Sequence, residues 1–237
     1  MTGKSTQLFS TWYCPFGQRS WIALLEKGVD FEIVETDPYN KTSEFLAISP
    51  RGLVPTLVHN GKSVYESFVI NEYIEEAWPQ QPKLMPSDPY DRAQARIWVD
   101  FIGKKIVPQF YHVLQSQEKG HQKEAKDRFL DGLRVFTSAM SSTEVPYFFG
   151  KDFGLVDIAF IPFALRFNIL VHYRDFSLPS NGSFDRLKVW MDACKSRPSV
   201  IPTVAPRDKM IDMYKRYADN TCKSEIAEAT RKRAPFP

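Results

Sequence analysis

Apolar and polar positions alternate with a period of two at the start of the chain and shift to a helical period soon after. Gln7-Leu8-Phe9-Ser10 predicts a short strand. Trp21-Ile22-Ala23-Leu24-Leu25 carries a helical pattern forward to Gly28, a residue suited to the C′ position. Phe31-Glu32-Ile33-Val34-Glu35 alternates as a second strand, and a short polar helix follows over 42–48. Residues 53–59 and 62–65 then read as a hairpin, joined by Asn60-Gly61, the dipeptide that a type I′ turn demands. Residues 66–77 place Phe68, Ile70, Tyr73, Ile74 and Ala77 on one helical face. The order β-α-β-α-β-β-α predicts a small α/β layer with a mixed sheet, its antiparallel part supplied by the hairpin.

Beyond residue 79 the pattern changes. The stretch 80–89 is polar and carries Pro82, Pro86 and Pro89, the composition of a linker. Strand signals then stop. A long helical pattern covers 91–117 with Pro108 inside it as a kink, and further helices are predicted over 123–140, 155–171, 185–196 and 210–217. The chain therefore reads as an α/β domain over 1–79, a linker over 80–89 and an all-α domain over 90–237, with a tail from about 205 that either folds back as a helix or stays mobile.

With 237 residues the chain can build two modest cores, and its 43% hydrophobic and 25% charged content is that of an ordinary globular protein. A net charge of +3 is too small to argue for nucleic acid, and Arg231-Lys232-Arg233 is a short run in the tail. The start of the chain lacks the apolar stretch of a signal peptide, and no apolar run approaches the roughly 18 residues expected of a membrane span. Three cysteines, Cys14, Cys194 and Cys222, stand far apart with no CxxC pair, which argues against a disulfide framework or a metal site. The expectation is a cytoplasmic protein without a metal, with no nucleic-acid or membrane partner.

One cysteine is set apart by its neighbours. In Tyr13-Cys14-Pro15-Phe16-Gly17-Gln18-Arg19 a strand gives way to a helix, and Pro15 suits the first helical turn because it has no N–H to leave unsatisfied there. Cys14 then falls at the N-cap, facing unpaired backbone N–H groups and the positive end of the helix dipole, where a thiolate is stabilised. Arg19 adds a nearby cation. A cysteine is otherwise a small buried hydrophobe, so position is what makes this one a candidate nucleophile. By contrast Gly154-Leu155-Val156-Asp157 reads as structure. An acid three residues into a helix can accept the cap's N–H, and Phe153 with Ile158 can form a hydrophobic staple.

Four segments taken together, Cys14-Pro15-Phe16, Leu53-Val54-Pro55, Tyr65-Glu66-Ser67 and Phe153-Gly154-Leu155-Val156-Asp157, resemble the glutathione transferase superfamily over about the first two hundred residues. The resemblance implies a thioredoxin-like N-terminal domain, an all-α C-terminal domain and glutathione as co-substrate. Ser67 and the helix it opens would take the γ-glutamyl carboxylate, and Glu66 the ammonium beside it. The Val54 backbone, turned toward the cleft by a cis bond to Pro55, would pair with the cysteinyl part, and Lys41 would hold the glycyl carboxylate. Phe16, Phe110 and Tyr111 are the candidates for an acceptor pocket.

Cys14-Pro15-Phe16 is similar to the omega class, which forms a mixed disulfide with glutathione. The segments 86–96 and 154–159 look more like the tau class, which places serine where Cys14 stands. The leading expectation is a monothiol, glutathione-dependent thiol transferase acting on dehydroascorbate, glutathionylated proteins or small disulfides. Conjugation of electrophiles and a non-catalytic ligand-binding role on the same fold are the alternatives. The family also implies a homodimer.

Overall fold

The computed structural model describes residues 5–80, 82–141 and 144–236. Two compact units divide the chain, one built from Met1–Pro86 and Arg197–Ala205, the other from Ser87–Ser196 and Pro206–Pro237. A segment late in the chain thus belongs to the first unit, which a reading in chain order assigns to the helical part.

The first unit runs β1 (Thr6–Ser10), α1 (Pro15–Glu26), β2 (Glu32–Glu35), α2 (Ser43–Ile48), β3 (Thr56–His59), β4 (Lys62–Tyr65) and α3 (Ser67–Ala77). This is the thioredoxin-like order expected. The sheet order is β2-β1-β3-β4, with β1 parallel to β2 and antiparallel to β3, and β3 antiparallel to β4. Asn60 and Gly61 both have positive φ, 50° and 76°, as a type I′ hairpin requires. Leu8 faces Leu57 in register, and both are fully buried with Ile22 and Leu24 of α1 and Ile70 and Ile74 of α3.

Two polar ties join α1 and its C-cap residue to α3 at the same sequence offset, Arg19 with Ser67 and Lys27 with Glu75. The buried Lys27 ammonium donates to Glu75 Oε2 at 3.1 Å and to the carbonyls of Gln80 and Pro82, while Glu75 also accepts the Leu84 N–H. A buried ion pair is retained only when its remaining hydrogen-bonding capacity is met, and here the linker backbone meets it. Gln80, Pro82 and Leu84, within the stretch 80–89 read from sequence as a linker, are in this way fixed to the first unit. The segment Arg197–Ala205 is held to α1 by the same means. Glu26 accepts from Arg197 and from Ser199 Oγ, and the buried Gln18 amide donates to Thr203 O and Oγ1.

The second unit is all helical: α4 (Pro89–Phe101), α5 (Val107–Gln115), α6 (Lys119–Ala139), α7 (Leu155–Ala164), α8 (Phe167–Arg174), α9 (Asp185–Lys195), α10 (Arg207–Ala218) and α11 (Glu225–Lys232). The predicted long helix over 91–117 is interrupted by a π turn, Ile102–Ile106. Pro108 explains it: proline offers no N–H to the Lys104 carbonyl and its ring crowds that oxygen, so the preceding turn widens. The predicted helix over 155–171 also divides. Arg166 N–H turns back to Phe163 O at 3.0 Å, and the buried Arg166 guanidinium donates to the Pro162 carbonyl. Leu155–Arg174 is in fact long and apolar enough to cross a membrane, contrary to the sequence expectation, but 78% of its most apolar window is buried inside the fold. The tail forms α10, which packs on α5 and α8, and α11, which packs on α5.

Asp157 organises this unit. Its carboxylate accepts Gly154 N–H at 2.9 Å, as the capping reading expects, and also Phe148 N–H at 2.9 Å and Trp190 Nε1–H at 2.6 Å. One side chain therefore ties the start of α7 to the loop before it and to α9, beside the stack of Phe160 on Trp190. Burial raises its pKa from 3.8 to about 6, outweighing the three hydrogen bonds and the Arg186 charge that favour the anion.

Candidate active site

All the predicted polar site residues lie in the first unit. Cys14 is the N-cap of α1, with extended φ and ψ of −76° and 117°, and Pro15 occupies the first helical position. Gly17 N–H donates to Cys14 Sγ at 3.4 Å, and the thiol lies 3.9 Å from the Val54 carbonyl, to which it donates. The sulfur is half-buried, whereas Cys194 and Cys222 are buried, and none of the three is in a disulfide. Only Cys14 thus joins partial exposure to a helix N-terminus, the setting in which a thiol reacts.

Gly17 is required by packing. A Cβ there would lie 1.9 Å from Ser10 Oγ at the end of β1. Gly17→Ala should therefore destabilise the protein by about 1–3 kcal/mol in chemical denaturation. Ser10→Ala in the same chain should recover most of that loss; no recovery would mean that the close approach of α1 to β1 is not the cause.

The Val54-Pro55 bond is cis. Leu53 O accepts from Ser49 Oγ at 3.0 Å and Thr56 Oγ1 at 3.2 Å, which pins the turn. Across from it, Glu66 has φ 71° and ψ 117°, outside even the left-handed helical region. Such a conformation costs on the order of 1–3 kcal/mol in a residue other than glycine. It sits at the junction of β4 and α3 and makes Ser67 the first helical residue, close to the unpaired N–H groups of that turn.

The Lys41 ammonium donates to the Arg51 carbonyl at 2.8 Å, while the Arg51 guanidinium pairs with Glu66 Oε1 at 3.4 Å. Gly52, with φ 61°, leaves room for the Lys41 stem, which a Cβ would meet at 2.5 Å. The structure therefore joins Lys41 and Glu66 through Arg51, a residue that the sequence reading passed over. Its adjacency to Gly52 and to the Val54-Pro55 step was the available signal. Arg19, read as a cation near Cys14, donates to Ser67 Oγ at 3.3 Å.

The acceptor-pocket candidates part company. Phe16 is half-buried, with the Arg19 guanidinium 5.1 Å from its ring centroid. Phe110 and Tyr111 lie in the core of the helical unit, 0% and 2% exposed. Phe110 packs edge-on against Phe129 and Phe163, while Tyr111 meets Phe236 edge-on and Tyr217 at a tilt. Aromatic residues at helical spacing mark a buried face without saying what fills it, and here neighbouring rings fill it. Among the described residues, no group of three His, Cys, Asp or Glu is placed to hold a metal ion.

Residues 13–77 match the family model of the glutathione S-transferase N-terminal domain, and residues 117–193 that of the glutathione S-transferase C-terminal domain. The chain is also 40% identical over 207 residues to glutathione S-transferase U19 of Arabidopsis thaliana, covering 86% of this chain and 92% of that one. The chain belongs to the glutathione S-transferase family. Among solved structures, this transferase resembles glutathione transferase Omega 3C from Trametes versicolor with a TM-score of 0.85 and 38% identity, over 94% of each chain. It also resembles the Tau class glutathione S-transferase MiGSTU from mango, Mangifera indica, with a TM-score of 0.85 and 28% identity, over 92% of this chain and all of that one. Likenesses to both classes accompany the mixture of omega-like and tau-like motifs along the transferase's sequence.

Proposed function

We propose that this transferase is a monothiol, glutathione-dependent thiol transferase. The observation that carries the proposal is Cys14 itself: a half-buried thiol capping a helix, hydrogen-bonded by Gly17 N–H and next to the Val54 backbone. In the proposed reaction the Cys14 thiolate attacks the glutathione sulfur of a glutathionylated substrate. The old S–S bond breaks, the substrate leaves as a thiolate that takes a proton, and Cys14 is left in a mixed disulfide with glutathione. A second glutathione, as thiolate, attacks that disulfide and releases oxidised glutathione, regenerating the Cys14 thiolate. Glutathione is the reductant, and no second protein thiol is needed.

Binding follows from the same residues. Ser67 and the first N–H groups of α3 receive the γ-glutamyl carboxylate, and Glu66 receives the ammonium, exchanging its exposed contact with Arg51. The Val54 backbone pairs with the cysteinyl part, in the turn that Pro55 fixes, and Lys41 takes the glycyl carboxylate. Phe16 borders the acceptor, a small disulfide, a glutathionylated protein or dehydroascorbate.

Conjugation of electrophiles remains a second reading, favoured by the likeness to the mango Tau class structure. Parallel assays on one preparation distinguish them. Reduction of a glutathionylated peptide should be faster than conjugation of an aryl halide, and conjugation without any disulfide reduction would overturn the proposal. Homodimerisation and a cytoplasmic location belong to the same proposal. The first is supported by Tyr65, Val69, Tyr90 and Ile97, large apolar side chains left exposed. The second is supported by three cysteines in no disulfide.

A further inference from the structure

The offset shared by the ties Arg19–Ser67 and Lys27–Glu75 sets α1 and α3 side by side and parallel, and it brings Ala23 opposite Asn71 midway between them. Long side chains, Arg19 and Lys27, span the two outer rungs, whereas Ala23 offers a single carbon. Packed helix axes stand about 8–10 Å apart, so the middle rung is left to Asn71. Ser20, one turn before Ala23, lies on the same side of α1. Asn71 and Ser20 are both 0% exposed, and among the described residues neither amide atom of Asn71 nor Ser20 Oγ has a hydrogen-bond partner. Ala23, Leu24, Ile70 and Ile74, their neighbours along the two helices, are fully buried as well. Polar atoms unmet in apolar surroundings are costly, and folded chains meet them with protein groups or ordered water. Helix propensity does not account for Asn71 either, since asparagine is a poor residue for a helix interior.

We propose that Asn71 and Ser20 hold an ordered water molecule between α1 and α3, a binding site buried in the joint of these two helices. Direct contact between the two side chains would not be enough. The amide has its donors on one atom and its acceptor on the other, and one hydroxyl can meet only one of these ends. A water molecule makes two to four hydrogen bonds and both donates and accepts. Asn71 and Ser20 are neutral and do the same, the chemistry of a water site and not of an ion site. The water bridges the Asn71 amide to Ser20 Oγ and holds the middle rung as Arg19 and Lys27 hold the outer ones. The helices it joins begin at Cys14 and Ser67, but the proposal does not depend on what binds there.

A high-resolution crystal structure of the wild-type protein should show a water about 2.7–3.2 Å from an amide atom of Asn71 and from Ser20 Oγ. A joint without water, a direct Asn71–Ser20 bond with no water beside it, or a water touching only one of the two side chains would overturn the proposal. Urea denaturation of variants reads the same sharing in solution. Asn71→Leu keeps the branched shape but removes the amide, which strands the Ser20 hydroxyl. It should raise the unfolding equilibrium constant about 5- to 100-fold, and Ser20→Ala, which strands the amide, should raise it as well. The double variant leaves no polar group to satisfy and should unfold with a constant within about threefold of wild type. Losses that simply multiply from the single variants to the double would overturn the proposal. If Asn71→Leu fails to fold, the wild-type crystal structure carries the decision alone.

Discussion

Cys14→Ser should abolish disulfide reduction, by roughly three orders of magnitude or more, the scale seen when the nucleophile of a covalent mechanism is removed. The same variant should keep its conjugating activity or gain in it. A serine hydroxyl has no accessible anion near neutral pH and cannot enter a mixed disulfide, yet it can donate a hydrogen bond to the thiolate of bound glutathione. Folding should not confuse the result. Serine is among the best N-cap residues, and its oxygen can accept the Gly17 N–H that Cys14 Sγ accepts now. Both activities are read on one preparation, so a loss of protein would lower them together. Full disulfide-reducing activity in the serine variant would show that Cys14 is not the nucleophile.

The largest effect on stability is expected at Asp157. Asp157→Ala leaves Phe148 N–H, Gly154 N–H and Trp190 Nε1–H buried without the acceptor they share. At about 1–3 kcal/mol for each orphaned donor, partly recovered by relief of the buried charge, the loss should be about 4 kcal/mol in urea denaturation near pH 7. Asp157→Asn separates the charge from the hydrogen bonds. In the folded protein the carboxyl has its pKa raised from 3.8 to about 6, chiefly by burial. The folded state thus holds the proton more tightly than the unfolded chain. The resulting stability is fully present below about pH 4 and is lost as the pH rises through about 6. Asparagine does not titrate. The stability gap between wild type and Asp157→Asn should therefore be widest below pH 4 and shrink by about 2 kcal/mol between pH 4 and pH 7. A gap that widens over this range would mean that the carboxyl is held as an anion at low pH, opposite to what its burial implies.

Much of this architecture is written in short-range chemistry. Cys14 before Pro15, Gly28 at the end of α1 with φ 64°, and the Asn60-Gly61 turn each depend on a few adjacent residues, and each stands where the pattern places it. The cap carboxylate of Asp157 was legible for the same reason, but its bond to Trp190 spans 33 residues and was not. Long-range pairing accounts for most of what stayed hidden. Nothing local directs Arg19 to Ser67, Lys27 to Glu75, or the segment Arg197–Ala205 to Gln18 and Glu26. Helix interruptions were half legible: Pro108 announces a disturbance, while a π turn over Ile102–Ile106 is only one of the ways to absorb it. Phe110 and Tyr111 show the converse limit. Periodicity places them on an apolar face, and only the packing of Phe129, Phe163 and Tyr217 shows what covers it.

Cys14 should take glutathione as a covalent partner, and intact-protein mass analysis reads that bond without intermediaries. After exposure to oxidised glutathione, the native transferase should gain the mass of one glutathionyl group, mapped to Cys14 by peptide digestion, absent in Cys14→Ser and removed by reduced glutathione. Cys194 and Cys222, both buried, should stay unmodified. An unmodified Cys14, or a glutathionyl group that maps to Cys194 or Cys222 instead, would contradict it.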